Sequence, residues 1–333
     1  MRVLVVGGAG YIGSHACRLL RQQGYDVIVY DNLSTGHAFL AGDNELIVGD
    51  LGDAGALASA LPRVDAVMHF AASADVRESV ENPRKYFRNN VASSLVLLDA
   101  VVEAGIRHFI FSSTCAVYGT PTILPVTENA PRMPINPYGT SKLFVESALE
   151  AYDRAYGLRY ASLRYFNAAG ADESGELGEV HDPETHAIPL ALAAAAGSVP
   201  SFNLYGDDYA TPDGTCIRDY IHVNDLAAAH VAALERLVSG EPSLQLNLGT
   251  GRGHSLRELI AAVEQETGYK VPVRIAPRRP GDPPELVADP SRARAMLGWQ
   301  ASRSLRDIVA TAWKWMQRQL DAAHAQPHHN SRV

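Results

Sequence analysis

Gly7, Gly10 and Gly13 stand three apart between an apolar run, Arg2-Val-Leu-Val-Val6, and a stretch that places Ile12, Ala16, Leu19 and Leu20 on one helical face. A buried strand, a tight glycine turn and a helix must follow one another here. Glycine lets the backbone turn sharply and come close to a pyrophosphate. The helix start then offers free N–H groups and a partial positive charge to it. Further strands are predicted at Asp26–Tyr30, closed by Asp31, at Leu46–Val48 before Gly49-Asp50, at Ala66–Phe70 and at Phe109–Phe111, with helical patterns between them. This alternation implies an α/β fold with a Rossmann-type, doubly wound parallel sheet.

Asp31 ends the second strand 18 positions past Gly13. A carboxylate there accepts from both ribose hydroxyls and repels a 2′-phosphate. No Arg or Lys occurs from Asp31 to Asp43. NAD is therefore expected over NADP. Asn136 and Pro137 read as the N-cap and first position of a later helix. Tyr138 and Lys142 share one face of it. A phenol is a poor base at its ordinary pKa near 10. An ammonium group beside it is expected to lower that value, so that Tyr138 can take a proton from a hydroxyl while hydride leaves the same carbon.

The pattern changes after about residue 167. Asp172–Glu184 is polar and reads as a loop, with Glu173, Glu176, Glu179 and Glu184 solvated; no metal is expected. Leu244–Leu248 reads as a strand ending at Gly249-Thr-Gly251, and the basic, Pro-rich stretch Arg274–Pro284 as an ordered binding loop. The expected organisation is a dinucleotide domain over 1–167, to which the chain returns near 217–250, and a smaller mixed α/β C-terminal substrate domain over 168–333. The tail after about 321, with His324, His328 and His329, is expected to be disordered.

With 29 basic and 37 acidic residues, the chain carries a formal charge of −8. That argues against nucleic acid as a partner. Cys17, Cys115 and Cys216 form no metal or redox motif. Val3–Val6 is too short for a signal-peptide core, and Ala187–Val199 is too short to span a bilayer. The expectation is a soluble, cytoplasmic protein without a membrane partner.

Several further motifs occur in order: Gly7-Gly-Ala-Gly-Tyr-Ile-Gly-Ser-His15, His69-Phe-Ala-Ala72, Phe111-Ser-Ser-Thr-Cys-Ala-Val-Tyr-Gly119, Pro137-Tyr-Gly-Thr-Ser-Lys142, Leu163-Arg-Tyr-Phe-Asn167, Arg218-Asp-Tyr-Ile-His-Val223 and Asn247-Leu-Gly-Thr-Gly251. Together they resemble the extended short-chain dehydrogenase/reductase family and, within it, the UDP-galactose (UDP-glucose) 4-epimerases, to about residue 318. The resemblance implies an isomerase that inverts C4 through a transient 4-keto sugar on retained NAD. It assigns Tyr138, Lys142 and Thr114 to catalysis. It implies NAD contacts at the Gly7, Gly10 and Gly13 turn and at Tyr11, Ile12, Asp31, Asn32, Asp50, Leu51, Phe70, Ala71, Ala72, Asn89, Tyr138, Lys142 and Tyr165. It implies UDP-sugar contacts at Thr114, Tyr138, Asn167, the backbone near Tyr205, Arg218, Arg279, Asp282 and Leu286. It also implies a homodimer through the helix bearing Tyr138; Leu143, Phe144 and Leu149 are compatible with that and equally with the core. Taken alone, Arg218 also fits a pair with Asp219, and Arg279 a solvated loop charge.

Three departures matter. A Lys common after His69-Phe-Ala is Ala74 here, with Asp75 next, and Arg77 is the nearby substitute. Leu286 stands where a large Tyr in the group excludes N-acetyl substituents and a smaller residue admits them, which leaves UDP-N-acetylhexosamines open. The stretches around Thr114, Tyr138 and Asp213 also look similar to UDP-xylose/UDP-arabinose 4-epimerases, the alternative reading. Sugar-nucleotide 4,6-dehydratases carry an Asp-Glu pair after the catalytic Thr, where this chain has Cys115 and Ala116. A non-catalytic NAD sensor would leave Tyr138, Lys142 and Thr114 free to change. A plain dehydrogenase would release NADH in turnover.

Overall fold

The computed structural model describes residues 1–279 and 282–325. Seven strands form one parallel sheet in the order Leu244–Leu248, Arg159–Tyr165, His108–Thr114, Ala66–His69, Arg2–Val6, Asp26–Asp31, Glu45–Val48. The inner strands Arg2–Val6, Asp26–Asp31 and Ala66–His69 are largely apolar without alternation because helices cover both faces. Val3, Val5, Val27 and Val29 pack with the helices Tyr11–Gln22 and Val223–Val238. Leu4, Val6, Ile28 and Tyr30 face the other way, toward Ser93–Glu103 and Pro137–Tyr156. Each such aliphatic side chain, fully buried, contributes about 1.5–3 kcal/mol.

Strand order reverses between Arg2–Val6 and Ala66–His69. That switch point opens a crevice at the C-terminal ends of the strands. The strand Leu244–Leu248 reaches the far edge of the sheet by pairing with Arg159–Tyr165.

A third cluster lies outside this sheet. It gathers Ile188, Leu192, Leu259, Val263, Ile308 and Val309 from the helices Ala187–Ala195, Leu256–Thr267 and Leu305–Ala325. Short strands join it to the crevice: Ile217–Arg218 pairs with His254–Ser255 and with Glu285–Leu286, and Tyr220–His222 pairs with Asn167–Ala169.

Three expectations are corrected. The basic stretch from Arg274 is not all loop, because Val273–Ala276 pairs as a parallel strand with Phe202–Tyr205. The expected disorder after 321 gives way to helix as far as Ala325, whose apolar stripe packs on the third cluster; His328 and His329 lie outside the described residues. Glu179 is not solvated: its side chain is 6% exposed, because both His181 and His186 fold over it.

Candidate active site

The glycine turn sits at the switch point. A Cβ on Gly7 would stand 2.5 Å from the Ala71 backbone nitrogen, and one on Gly13 would stand 2.2 Å from the Gly7 oxygen. Phe70 and Ala71 in turn donate backbone hydrogen bonds of 2.7 and 3.1 Å to Val6. Only glycine permits this closeness, and it leaves a backbone-lined cradle under the start of the Tyr11–Gln22 helix. Asp31 reaches back to the turn, its Oδ2 accepting from Ala9 N at 3.0 Å. Asn32 donates to Asp50 at 2.8 Å, with Leu51 buried beside them. The cradle, the carboxylate and the bare backbone suit a dinucleotide. The Tyr11 phenol takes no part in the cradle: it donates to Gly170 O at 2.6 Å. Tyr11 can serve a ligand only through its backbone.

Asn136 caps the next functional helix, accepting from Gly139 N at 2.8 Å. A Cβ on Gly139 would stand 2.5 Å from Ala116 O. The missing side chain lets the helix start press against the Cys115–Tyr118 turn, which brings Tyr138 to Thr114. Thr114 ends its strand opposite Tyr165, and Tyr165 shares a short hydrogen bond with Ser112. Burial pushes the Tyr165 phenol up to about 12.

Burial also pushes the Tyr138 phenol well above its ordinary value, and the Thr114 hydroxyl opposes that shift. Lys142 is directed elsewhere. Its Nζ donates to Ser112 O at 2.8 Å and lies 4.9 Å over the Phe111 ring. Burial lowers the ammonium to about 7, against the pull of Glu146. Against the expectation that Lys142 lowers Tyr138, burial is the largest influence on both groups and the Lys142 ammonium is turned to the Ser112 carbonyl. Burial pushes the Cys115 thiol up to about 12.

On the far side, Arg218 donates to Asp282 at 3.2 Å, and Arg279 lies 4.0 Å over the Tyr205 ring. These four predicted residues converge. Arg218 does not pair with Asp219, which accepts instead from Thr250, Gly251 and Ala288. Leu286 is beside Arg218 in register and is buried with Val117, Tyr118 and Phe166. Asn167 begins its strand by donating to Asp219 O at 3.0 Å. Asn89 donates to Ser73 Oγ at 3.2 Å, and Ala72 immediately precedes that serine. Arg77, the nearby substitute, pairs with Glu81 and is 86% exposed.

The sequence reading missed the frame around these residues. Glu146, one turn past Lys142, accepts from Arg164 through two hydrogen bonds of 2.8 and 2.6 Å and from Ser113 at 2.6 Å. Arg164 also donates to Tyr118, which donates to Asn247. Asn90 lies in a π-helical turn, Phe87–Ala92, and donates to Ser141 at 3.0 Å. Such turns recur at functional sites. Only the i, i+4 spacing of Lys142 and Glu146 hinted at this frame; Arg164 pointed to nothing until the strands were paired.

Residues 3–249 match the NAD dependent epimerase/dehydratase family. The chain belongs to that family. It is 50% identical over 315 residues to a UDP-glucose 4-epimerase of Rhizobium leguminosarum bv. trifolii, covering 94% of this chain and 96% of that one. Among solved structures it is similar to a Brucella ovis UDP-glucose 4-epimerase in complex with NAD (TM-score 0.92, 54% identity, 94% and 97% covered). It is likewise similar to a Stenotrophomonas maltophila UDP-glucose-4-epimerase with bound NAD and formylated UDP-arabinopyranose (TM-score 0.94, 43% identity, 97% and 99% covered). No described helix is long and apolar enough to cross a membrane.

Proposed function

We propose that this chain is an NAD-dependent UDP-glucose/UDP-galactose 4-epimerase. The observation that carries the reading is the half-buried Tyr138 beside Thr114, next to a cradle made for a dinucleotide, with Cys115 and Ala116 after Thr114 where an elimination would need an acid and a base. When bound, NAD+ supplies the hydride acceptor for C4 and a positive charge near the phenol. Tyr138 Oη takes the O4 proton and later returns it, while the Thr114 hydroxyl shares that proton and holds O4 in line. Lys142, whose ammonium donates to Ser112 O here, would hold the nicotinamide ribose and support the phenolate. Arg218 and Arg279 hold the diphosphate in their planar forks. The sugar, gripped only weakly, turns to present its opposite face.

The test is conversion of UDP-galactose by purified protein without added NAD, followed by anion-exchange chromatography. Formation of UDP-glucose without net NADH supports the reading. No turnover, even with NAD added, overturns it.

A UDP-xylose/UDP-arabinose 4-epimerase is the second reading. Its support is the arabinopyranose nucleotide in the similar Stenotrophomonas maltophila structure. Turnover of UDP-arabinopyranose alone would install it. Acceptance of UDP-N-acetylhexosamines belongs to the first reading and turns on Leu286. We further propose a cytoplasmic homodimer. Phe144 on the catalytic helix is 54% exposed and stacks edge-on with Phe87 at 6.3 Å, an apolar surface that a second copy would cover. Three unpaired cysteines suit a reducing compartment.

A further inference from the structure

We infer that Glu179, His181, Glu184 and His186 form a structural binding site for a divalent transition-metal ion of the zinc class. The four residues fall within eight positions of the loop that leads to the Ala187–Ala195 helix. Their ligand atoms all lie within 4.8 Å of one another. His181 Nδ1 and His186 Nδ1 stand 3.0 and 2.5 Å from the same oxygen, Glu179 Oε1. Glu184 closes the group, at 3.3 Å from His186 Nδ1 and 3.9 Å from His181 Nδ1. Ligand nitrogens and oxygens around a tetrahedral zinc stand about 3.3–3.5 Å apart, given bonds of about 2.0–2.1 Å. The Glu184–His186 contact has that spacing, while the two contacts to Glu179 Oε1 are shorter and the Glu184–His181 contact is longer, so an ion entering the group would open the two contacts to Glu179.

The contacts within the group do not satisfy it. Glu179 Oε1 and His181 Nδ1 are buried and have no hydrogen-bond partner. A buried polar atom without a partner calls for an ion or a water. Among the described residues, no Lys or Arg pairs with Glu179 or Glu184. Two carboxylates with two neutral imidazoles carry the charge that one divalent cation cancels. Two imidazole nitrogens favour zinc over magnesium or calcium, which take oxygen ligands. Without a metal, the alternative is a charged pair. Burial lowers the His186 imidazole, but Glu179 and Glu184 outweigh that and raise it to about 10.

The ligands are held in place from outside. Glu184 Oε1 accepts from the backbone N–H groups of Thr185 and His186 at 2.7 and 2.8 Å. Trp315 Nε1 donates to Glu179 O at 3.0 Å. Four protein ligands leave no open position, which makes the site structural. It would brace the segment between Gly170, where Tyr11 is anchored, and the helices of the third cluster.

The test uses full-length, tag-free protein stripped with chelator and then given zinc chloride, or magnesium chloride as control. About one zinc per chain, retained through gel filtration and raising the Tm, is expected. Cobalt in place of zinc should give the intense visible bands of a tetrahedral site. The His181→Ala/His186→Ala variant should lose both signals. Glu179→Gln, which keeps the side-chain volume, should weaken binding by more than the roughly 10–100-fold typical of outer-shell changes. A variant with His324, His328 and His329 replaced by Ala should bind zinc as the parent does. Absence of stoichiometric zinc in the parent overturns the assignment. So does zinc that survives in Glu179→Gln and in the double variant, or zinc that leaves with the terminal histidines.

Discussion

The two walls of the crevice are built differently. The wall bearing Tyr138 is tied down by buried charge: Glu146 and Arg164 are wholly inaccessible and joined by two hydrogen bonds. The wall bearing Arg218 and Arg279 relies on one ion pair with a part-exposed Asp282 and one cation–π stack. Proton transfer tolerates little displacement, and the groups proposed for it sit on a regular helix and strand. The long side chains proposed to grip a nucleotide diphosphate sit instead on short strands and loops. On the proposed reading, the chemistry is held by the more rigid of the two frames and the grip by the looser one.

The largest effects should come from the rigid wall. Tyr138→Phe removes the proton-transfer group and should lower kcat by about 10²–10⁴ with little change in Tm, measured as UDP-galactose conversion. Equal loss of stability and activity would show instead that the phenol is structural. Arg164→Met leaves the Glu146 charge buried without its partner and should cost about 3–5 kcal/mol in urea unfolding, because a broken buried pair keeps its desolvation penalty. A neutral result would mean the frame is not what positions the helix.

Buried histidines on the sheet side set an acid limit. Burial lowers His15, His222 and His230 to about 4 and His69 to about 3. The unfolded chain therefore takes up protons first as the pH falls. Stability from the neutral rings is complete above about 6.5 and is lost progressively toward pH 4. His230→Gln should flatten the fall of stability between pH 6.5 and 4 by up to a few kcal/mol. An unchanged slope would show that His230 does not titrate there.

On the adaptable wall, Arg218→Ala should raise KM for the UDP-sugar by about 10–100-fold with a smaller change in kcat, since a charged hydrogen bond contributes about 1.5–3 kcal/mol. A drop in kcat with KM intact would move Arg218 into the chemical step.

The same contrast explains what the sequence made legible. The strands, the Asn136 cap and the Tyr138–Lys142 face follow from local patterns of apolar residues, caps and helical spacing, and the structure has each of them. Residues that meet across long separations did not announce themselves. Arg164 reads as an ordinary charge in an apolar strand until its neighbour Gln245 and its partner Glu146 arrive from other elements. Glu179 reads as a solvated acid until two histidines close over it. Electrostatic direction was harder still: i, i+4 spacing put Lys142 on the face of Tyr138, but burial and the Ser112 carbonyl decided where its charge lay.

The smallest effect concerns choice of sugar. Leu286 is buried against Val117 and Phe166 beside Arg218, so its side chain borders both the catalytic turn and the diphosphate grip. A change of a few carbons in an apolar wall shifts discrimination by about 1–3 kcal/mol. Leu286→Ala should therefore favour UDP-N-acetylgalactosamine over UDP-galactose, as a ratio of kcat/KM values, by about 10-fold or more, and Leu286→Tyr should shift it the other way. Because Leu286 also packs in a buried cluster, the alanine variant should lose about 2–5 kcal/mol of stability as well. The ratio separates the two roles: a wall residue changes it between substrates measured on the same protein, and a purely packing residue lowers both rates alike.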